Sequence, residues 1–213
     1  MQNLRSDAVV VGAGPAGSIA ARTLAKNGVD VIVVEKRQEI GAPKRCAEGI
    51  ALRGLTRVGI KPDPRWAVNR ITGAILYSPS GRELRVSTKD TEGYILERKI
   101  FEKYLAAEAI RSGARYMVKT RAISVIKDNG YVSGIHAEYM GEEFDIKSKL
   151  VIAADGVDSK IAKSAGIDTM NKLTDYHSGF QYEMANLNLK EHDRLHIYFG
   201  RKSILTFNGL IHI

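Results

Sequence analysis

The strongest constraint on this chain is an apolar run that ends in glycines. Asp7-Ala-Val-Val-Val-Gly-Ala-Gly-Pro-Ala-Gly17 carries Gly12-x-Gly14-x-x-Gly17, a helical pattern follows at once, and the next apolar run, Val29 to Val34, closes on Glu35. Strand, glycine turn, helix and an acid about 20 residues on are the parts of a dinucleotide-binding βαβ unit. Gly12 permits the tight turn out of the strand, Gly14 lets the backbone approach a pyrophosphate, and Gly17 lets helix and strand pack closely. Pro15 and Ala16 open the helix whose first N–H groups favour phosphate. Glu35 is spaced to accept hydrogen bonds from ribose hydroxyls, and its charge repels a 2′-phosphate. Alone, the motif does not separate NAD from FAD, and its plainer reading is a glycine-rich turn with no ligand.

The rest of the chain extends this unit. Asp7 to Val11 and Val29 to Val34 lack alternation, as strands buried on both faces do. The helix between them runs from about Pro15 to Asn27, with Ile19, Ala20, Thr23 and Leu24 on one face and Gly28 as its stop. Ile71 to Tyr77 and Glu83 to Val86 flank Pro79-Ser-Gly81 and read as a hairpin, and Tyr94 to Leu96 as a short strand. Arg98 to Ser112 is helical, with Ile100, Phe101, Tyr104, Leu105 and Ala109 sharing a face. Tyr116 to Val125, Tyr131 to Tyr139 and Glu143 to Ile146 read as strands, with a hairpin turn at Asn129-Gly130. Leu150 to Ala154 is a further buried strand, and Val157 to Ala165 a helix behind it. Phe180 to Leu189 and Arg194 to Phe199 alternate as antiparallel strands do, and Ile204 to Ile213 is an apolar tail. The expected fold is α/β: a Rossmann-like nucleotide domain over 1–174, then the start of an antiparallel β substrate domain over 175–213, with hairpins at about 67–90 on the substrate side.

Several residues outside the glycine loop could carry chemistry. Gly41-Ala-Pro-Lys-Arg-Cys-Ala-Glu-Gly49 reads as a loop beyond the second strand, where Lys44 and Arg45 could meet phosphates. Cys46 is either a site thiol or a small buried hydrophobe. Arg98 either reaches a cofactor or stays a solvated charge at a helix start. Asp155 ends a strand as Glu35 does; it reads as a ligand contact, a helix cap, or both. With one cysteine no internal disulfide can form, which suits a reducing cytoplasm. The formal charge of +8 is spread along the chain and not clustered with aromatics, so no nucleic-acid partner is expected. The five histidines lack metal-ligand spacing, and no metal is expected. No apolar run has the length of a membrane span, and the N-terminus leads straight into the first strand without the pattern of a signal peptide.

A flavin-type βαβ with Glu35, then Arg98 opening a helix, then Ala153-Ala-Asp-Gly-Val-Asp-Ser159 resembles the flavoproteins that include aromatic hydroxylases and geranylgeranyl reductases. Lys44-Arg-Cys-Ala-Glu-Gly-Ile50 and Ile95-Leu-Glu-Arg-Lys-Ile-Phe-Glu-Lys-Tyr-Leu105 are similar to the archaeal branch of the reductases, which acts on digeranylgeranylglycerophospholipids. The likeness runs from about Asp7 to Gly200. It implies FAD as cofactor: Gly12, Gly14, Ala16 and Gly17 on the pyrophosphate, Glu35 at the adenosine ribose, and Ala122 at the adenine through its backbone, with Pro15 and Lys36 as further cofactor-binding residues. It further implies that Cys46, Ala47 and Gly49 border the flavin, that Arg98 lies along the cofactor, that Asp155-Gly156 completes the wall, and that Cys46 is the candidate catalytic group; Arg45 is counted with the cofactor-binding residues. The implied reaction is hydrogenation of geranylgeranyl double bonds in membrane ether-lipid precursors, with hydride from reduced flavin. A geranylgeranylated glycerophospholipid is the implied substrate and ferredoxin or NAD(P)H the donor. The implied location is cytoplasmic, with peripheral contact at the membrane. Members of this group run to roughly twice this length, and Ser203 to Ile213 does not match their tunnel-lining segment, so the chain is expected to be an N-terminal part. The alternatives are another FAD-dependent oxidoreductase of the aromatic-hydroxylase type and a non-catalytic nucleotide-binding remnant.

Overall fold

Strand β1 (Leu4–Val11) runs through the middle of a six-stranded sheet and sends alternate residues into two separate cores. The structure, a computed structural model, describes residues 4–43, 46–87, 92–169, 171–176, 181–182, 184, 186, 188, 191–200 and 209–211. The chain divides into two compact units, 1–43 with 102–178 and 44–101 with 179–213. Residues 44–101, with the hairpins at about 67–90, thus cluster with the C-terminal segment.

In the first unit, helix α1 (Pro15–Lys26) follows β1 and leads to β2 (Val31–Val34). Val9 and Val11 join Ile32, Val34, Ile135, Phe144 and Ile146 on one face, while Ala8 and Val10 join Ala21, Val31, Val33 and Ala109 on the other. Burial on both faces explains why these strands read as unbroken apolar runs. Helix α1 buries Gly17, Ser18 and Ala21, and Thr23 is exposed. The buried stripe is therefore shifted from the expected Ile19–Ala20–Thr23–Leu24 face, because the smallest side chains let the helix come closest to the sheet. After α2 (Leu52–Arg57) of the second unit, helix α3 (Arg98–Arg111) buries Leu105, Ala106 and Ala109. Ile100, expected on the same face, is 44% exposed.

Two strand expectations change. The stretch from Tyr116 to Val125 is not one strand: β8 (Arg115–Met117) and β9 (Thr120–Asp128) lie at opposite edges of the sheet, whose order, with β10 (Tyr131–Tyr139) and β11 (Glu142–Ala153), is β8-β2-β1-β11-β10-β9. The chain turns at Lys119, whose φ of +56° is left-handed, and lysine does not read as such a turn. Conversely, β11 (Glu142–Ala153) is one strand where two were expected. Its first half pairs antiparallel with β10 (Tyr131–Tyr139) and its second half parallel with β1. Pairing with β10 ends at Lys147, and pairing with β1 runs from Ile146 to Ala153. Between β9 and β10, Asn129 and Gly130 both take positive φ, as a two-residue hairpin turn requires. A short 3-10 turn (Gly156–Asp158) and α4 (Lys160–Ala165) follow β11, where one helix from Val157 was expected.

In the second unit, β3 (Gly49–Ala51) leads into α2 (Leu52–Arg57), and β3 and β4 (Ala67–Ile71) flank β7 (Gly93–Leu96). A second sheet orders β13 (Gly209–Ile211), β12 (Arg194–Tyr198), β5 (Gly73–Tyr77) and β6 (Glu83–Val86). Strands β5 and β6 make the expected hairpin, but Ile71 belongs to β4; β12 pairs antiparallel with β13 on one side and parallel with β5 on the other. Trp66 is fully buried, its ring 4.7 Å from that of Phe101, so it packs. Of the strand expected at 180–189, residues 181, 182, 184, 186 and 188 are described and none of them is in a strand; most of the tail at 204–213 lies outside the described residues.

Candidate cofactor site

The glycines of the first loop divide into two kinds. A Cβ on Gly12, whose φ is +102°, would stand 2.3 Å from the carbonyl oxygen of Ala154, and one on Gly17 would stand 1.9 Å from that of Gly12. Both positions are demanded by the protein's own packing. Gly14 differs: its backbone is extended (φ −69°, ψ −176°), and an added Cβ would meet no protein atom within 4 Å. It caps α1, whose first turn carries no side-chain cap and no acidic residue, with Pro15 next in line. Open space beside backbone at a helix start suits an anion.

Ala13, between the two kinds, is fully buried, and both its backbone groups are held by side chains. Its N–H donates to Glu35 Oε2 at 2.9 Å, and its carbonyl accepts from the Ser18 hydroxyl at 3.1 Å. Ser18 is fully buried, and its Oγ accepts from the Tyr116 hydroxyl at 3.0 Å. Burial raises the Tyr116 phenol above its ordinary range, although its bond to Ser18 pulls the other way.

Glu35 stands at the C-terminal end of β2, half-buried. Its Oε1 accepts the Arg37 N–H at 2.9 Å, its own N–H donates to the Met117 carbonyl, and its carbonyl accepts from Thr120 N–H. A carboxylate offers about four acceptor positions; the two bonds above leave the remainder for hydroxyl donors. Lys36 is exposed. The Thr120 bond starts β9 beside Glu35 and so sets Ala122, which is half-buried and lies opposite Ala137 at a bulge. On the other side of β1, the Ala154 N–H donates to the Val11 carbonyl, and Asp155 follows. Asp155 Oδ2 accepts the Ile161 N–H at 2.9 Å, which caps α4, and Gly156 takes φ +81°. The structure therefore brings Gly12, Gly14, Gly17, Glu35 and Asp155 to the C-terminal edge of the parallel strands, where doubly wound folds bind ligands, and the Thr120 bond brings the start of β9, two residues before Ala122, beside Glu35.

The second unit holds the other named residues. Cys46 is half-buried, and its Sγ accepts the Glu48 N–H at 3.3 Å. Glu48 is buried with a left-handed φ of +65°. Its Oε1 accepts the Arg98 N–H at 3.3 Å, and its carbonyl accepts from Leu96 at 2.9 Å. Cys46 and Arg98 are thus linked through Glu48. Ala47 and Gly49 are exposed, and Arg45 lies outside the described residues. Reading the sequence passed over Glu48, Ser18 and Tyr116. A charged residue set between Ala47 and Gly49 and a serine within a stripe of small helix residues were the available signals; Tyr116 offered none. Among the described residues no group of acids, histidines or cysteine could hold a metal, and no helix is long and apolar enough to cross a membrane.

An open space at Gly14, a helix start and a carboxylate with acceptor capacity fit the pyrophosphate and ribose of FAD. Fold and site define a dinucleotide-binding protein of the βαβ class. The chain belongs to the FAD binding domain family, whose profile matches residues 5–204, and FAD is its cofactor. It is 45% identical over 199 residues to digeranylgeranylglycerophospholipid reductase 1 of Methanothermobacter thermautotrophicus, covering 91% of this chain and 50% of that relative. To the digeranylgeranylglycerophospholipid reductase of Methanothrix thermoacetophila it is 53% identical over 175 residues, 81% of this chain and 44% of that one. The crystal structure of a geranylgeranyl bacteriochlorophyll reductase-like protein from Thermoplasma acidophilum superposes with a TM-score of 0.84 at 36% identity, covering 93% of this chain and 51% of that one. The resemblance to geranylgeranyl reductases is borne out. The chain spans about half the length of the curated relatives it matches.

Proposed function

We propose that this chain serves an FAD-dependent reductase that hydrogenates the geranylgeranyl double bonds of archaeal ether-lipid precursors. The observation that carries this reading is the FAD cradle on a chain that is 45–53% identical to two reductases named for that lipid class. In this reading Gly12, Gly14, Pro15, Ala16 and Gly17 hold the pyrophosphate, Glu35 with Lys36 the ribose, and Ala122 the adenine. Asp155 and Gly156 finish the wall. Cys46, Ala47, Gly49 and Arg98 border the flavin, with the Cys46 thiol held by the Glu48 N–H. When bound and reduced, the flavin would supply hydride to one alkene carbon, and a proton taken up from solvent at the other would complete the addition of H2. The protein's part is to orient the cofactor and exclude water from it. The substrate is a geranylgeranylated glycerophospholipid and the donor ferredoxin or NAD(P)H. A chain of net charge +8 in the cytoplasm suits peripheral contact with anionic lipid head groups.

The test is FAD titration of the purified chain, followed by dithionite reduction and incubation with digeranylgeranylglycerophospholipid. Mass spectrometry should find a gain of H2 for each double bond saturated. FAD bound and reducible, with the lipid unchanged in mass, would sink the substrate assignment. Cys46→Ser should alter the flavin spectrum or the product distribution in a protein that stays folded.

A further inference from the structure

We infer that Ser18 and Tyr116 are positioning residues for the FAD pyrophosphate, acting through the peptide group that joins Ala13 to Gly14. The inference rests on the FAD reading of the glycine loop and adds to it a cause for the direction of the Gly14 N–H.

The hydrogen-bond chain has one direction. The Ala13 carbonyl oxygen can only accept, so the Ser18 hydroxyl proton points at it. Ser18 Oγ then has only lone pairs left, so Tyr116 must be the donor in their 3.0 Å bond. A serine inside a helix usually returns its hydroxyl to the carbonyl three or four residues back. Here the Gly14 carbonyl accepts the Ser18 backbone N–H at 2.9 Å, and the hydroxyl reaches one residue further, to Ala13.

That choice has a consequence at Gly14. The carbonyl of Ala13 and the N–H of Gly14 belong to one planar trans peptide, in which the two groups point in opposite directions. Drawing the carbonyl toward buried Ser18 turns the Gly14 N–H away from the helix packing. An added Cβ at Gly14 meets no protein atom within 4 Å, so there is room for a ligand beside that backbone. Donors in series also polarise one another, and a carbonyl that accepts a strong bond leaves its own peptide N–H a better donor. The preceding peptide is fixed separately, because the Ala13 N–H is held by Glu35. Tyr116 and Ser18 thus preorganise a phosphate donor that neither of them touches.

The experiment measures FAD binding to the unaltered chain, Ser18→Ala, Tyr116→Phe and the double variant. It also records the Gly14 amide resonance and the phosphorus resonances of bound FAD. Each single variant should weaken FAD binding by about fivefold to tenfold, the worth of one net hydrogen bond. Both resonances should move. Tyr116→Phe should add nothing further in the Ser18→Ala background, since it acts through Ser18. A purely structural role would lower the melting temperature and leave affinity within about twofold and the resonances in place; that result overturns the inference. If Ser18→Ala does not fold, Tyr116→Phe, which keeps the ring, decides alone. If the unaltered chain binds no FAD, the cofactor reading falls and takes the inference with it.

Discussion

The backbone N–H of Ala13 donates to Oε2 of Glu35 at 2.9 Å, so the acid that ends β2 also holds the loop that ends β1. Glu35 Oε1 is engaged in the same way by the Arg37 N–H. Both bonds are charge-assisted, which makes them the stronger kind. Replacing the carboxylate with an amide leaves one acceptor for two backbone donors and sets an NH2 group against one of them. Glu35→Gln should therefore weaken FAD binding by about tenfold to a hundredfold, as loss of one bond to a charged group costs about 1.5–3 kcal/mol. Isothermal titration with FAD checks this. An affinity equal to that of the unaltered chain would show that neither the loop nor the ribose depends on the charge.

Gly14 and Gly17 make a paired prediction, because the same substitution meets different neighbours. Gly17→Ala puts a methyl group 1.9 Å from the Gly12 carbonyl oxygen, both atoms being in the tightest part of the βαβ unit. Helix α1 must move off β1, at a cost of about 3 kcal/mol or more. Gly14→Ala meets no protein atom, and its φ of −69° is open to any residue. It should leave the melting temperature nearly unchanged, or raise it slightly, while obstructing the approach of the pyrophosphate. Thermal unfolding without FAD, set beside FAD titration, separates the two. Equal losses of stability would mean that Gly14 too is there for packing.

The βαβ unit was legible because its signals are local. Unbroken valine runs, three glycines and an acid at fixed spacing constrain neighbouring residues, and no distant contact is needed to read them. What escaped depends on distant partners. Whether Lys119 turns the chain, sending β8 and β9 to opposite edges, depends on Glu35 and Arg37 bonding Thr120 and Lys119. Strand β11 looked like two, yet it pairs with β10 up to Lys147 and with β1 from Ile146 on, which no local pattern records. Ser18 and Tyr116 are 98 positions apart, and the burial that makes their bond matter comes from tertiary packing. At Cys46 the loop was visible, but the buried residue that organises it is Glu48, hidden between small neighbours.

Asp155 has two roles that can be measured apart. Its Oδ2 accepts the Ile161 N–H in the first turn of α4, which Ser159 enters in a left-handed conformation without capping it. Removing such a cap costs about 1 kcal/mol, so Asp155→Ala should lower stability by that order in denaturant titrations without FAD. Asp155→Asn keeps an acceptor and should recover most of the loss. If Asp155 also belongs to the cofactor wall, FAD affinity should fall in both variants. Unchanged affinity in Asp155→Asn would leave the residue as a helix cap only.

Tyr116 links the site to alkaline pH. Burial holds its phenol above the ordinary value of 10.0 in the folded chain. Below pH 10 the group is neutral in both folded and unfolded states and adds no pH dependence. Above that, the unfolded chain ionises first and binds fewer protons than the folded one, so stability falls as pH rises through the folded value. Ionised Tyr116 could not donate to Ser18, so FAD affinity should weaken over the same range. Tyr116→Phe removes this ionisation. The Tyr77 phenol is also raised by burial, so the diagnostic quantity is the difference between the two proteins rather than either curve alone. The stability gap between the unaltered chain and Tyr116→Phe should be constant at neutral pH and narrow steadily above pH 10 in thermal unfolding scans. Parallel curves across the alkaline range would mean that Tyr116 ionises as freely in the folded chain as in the unfolded one.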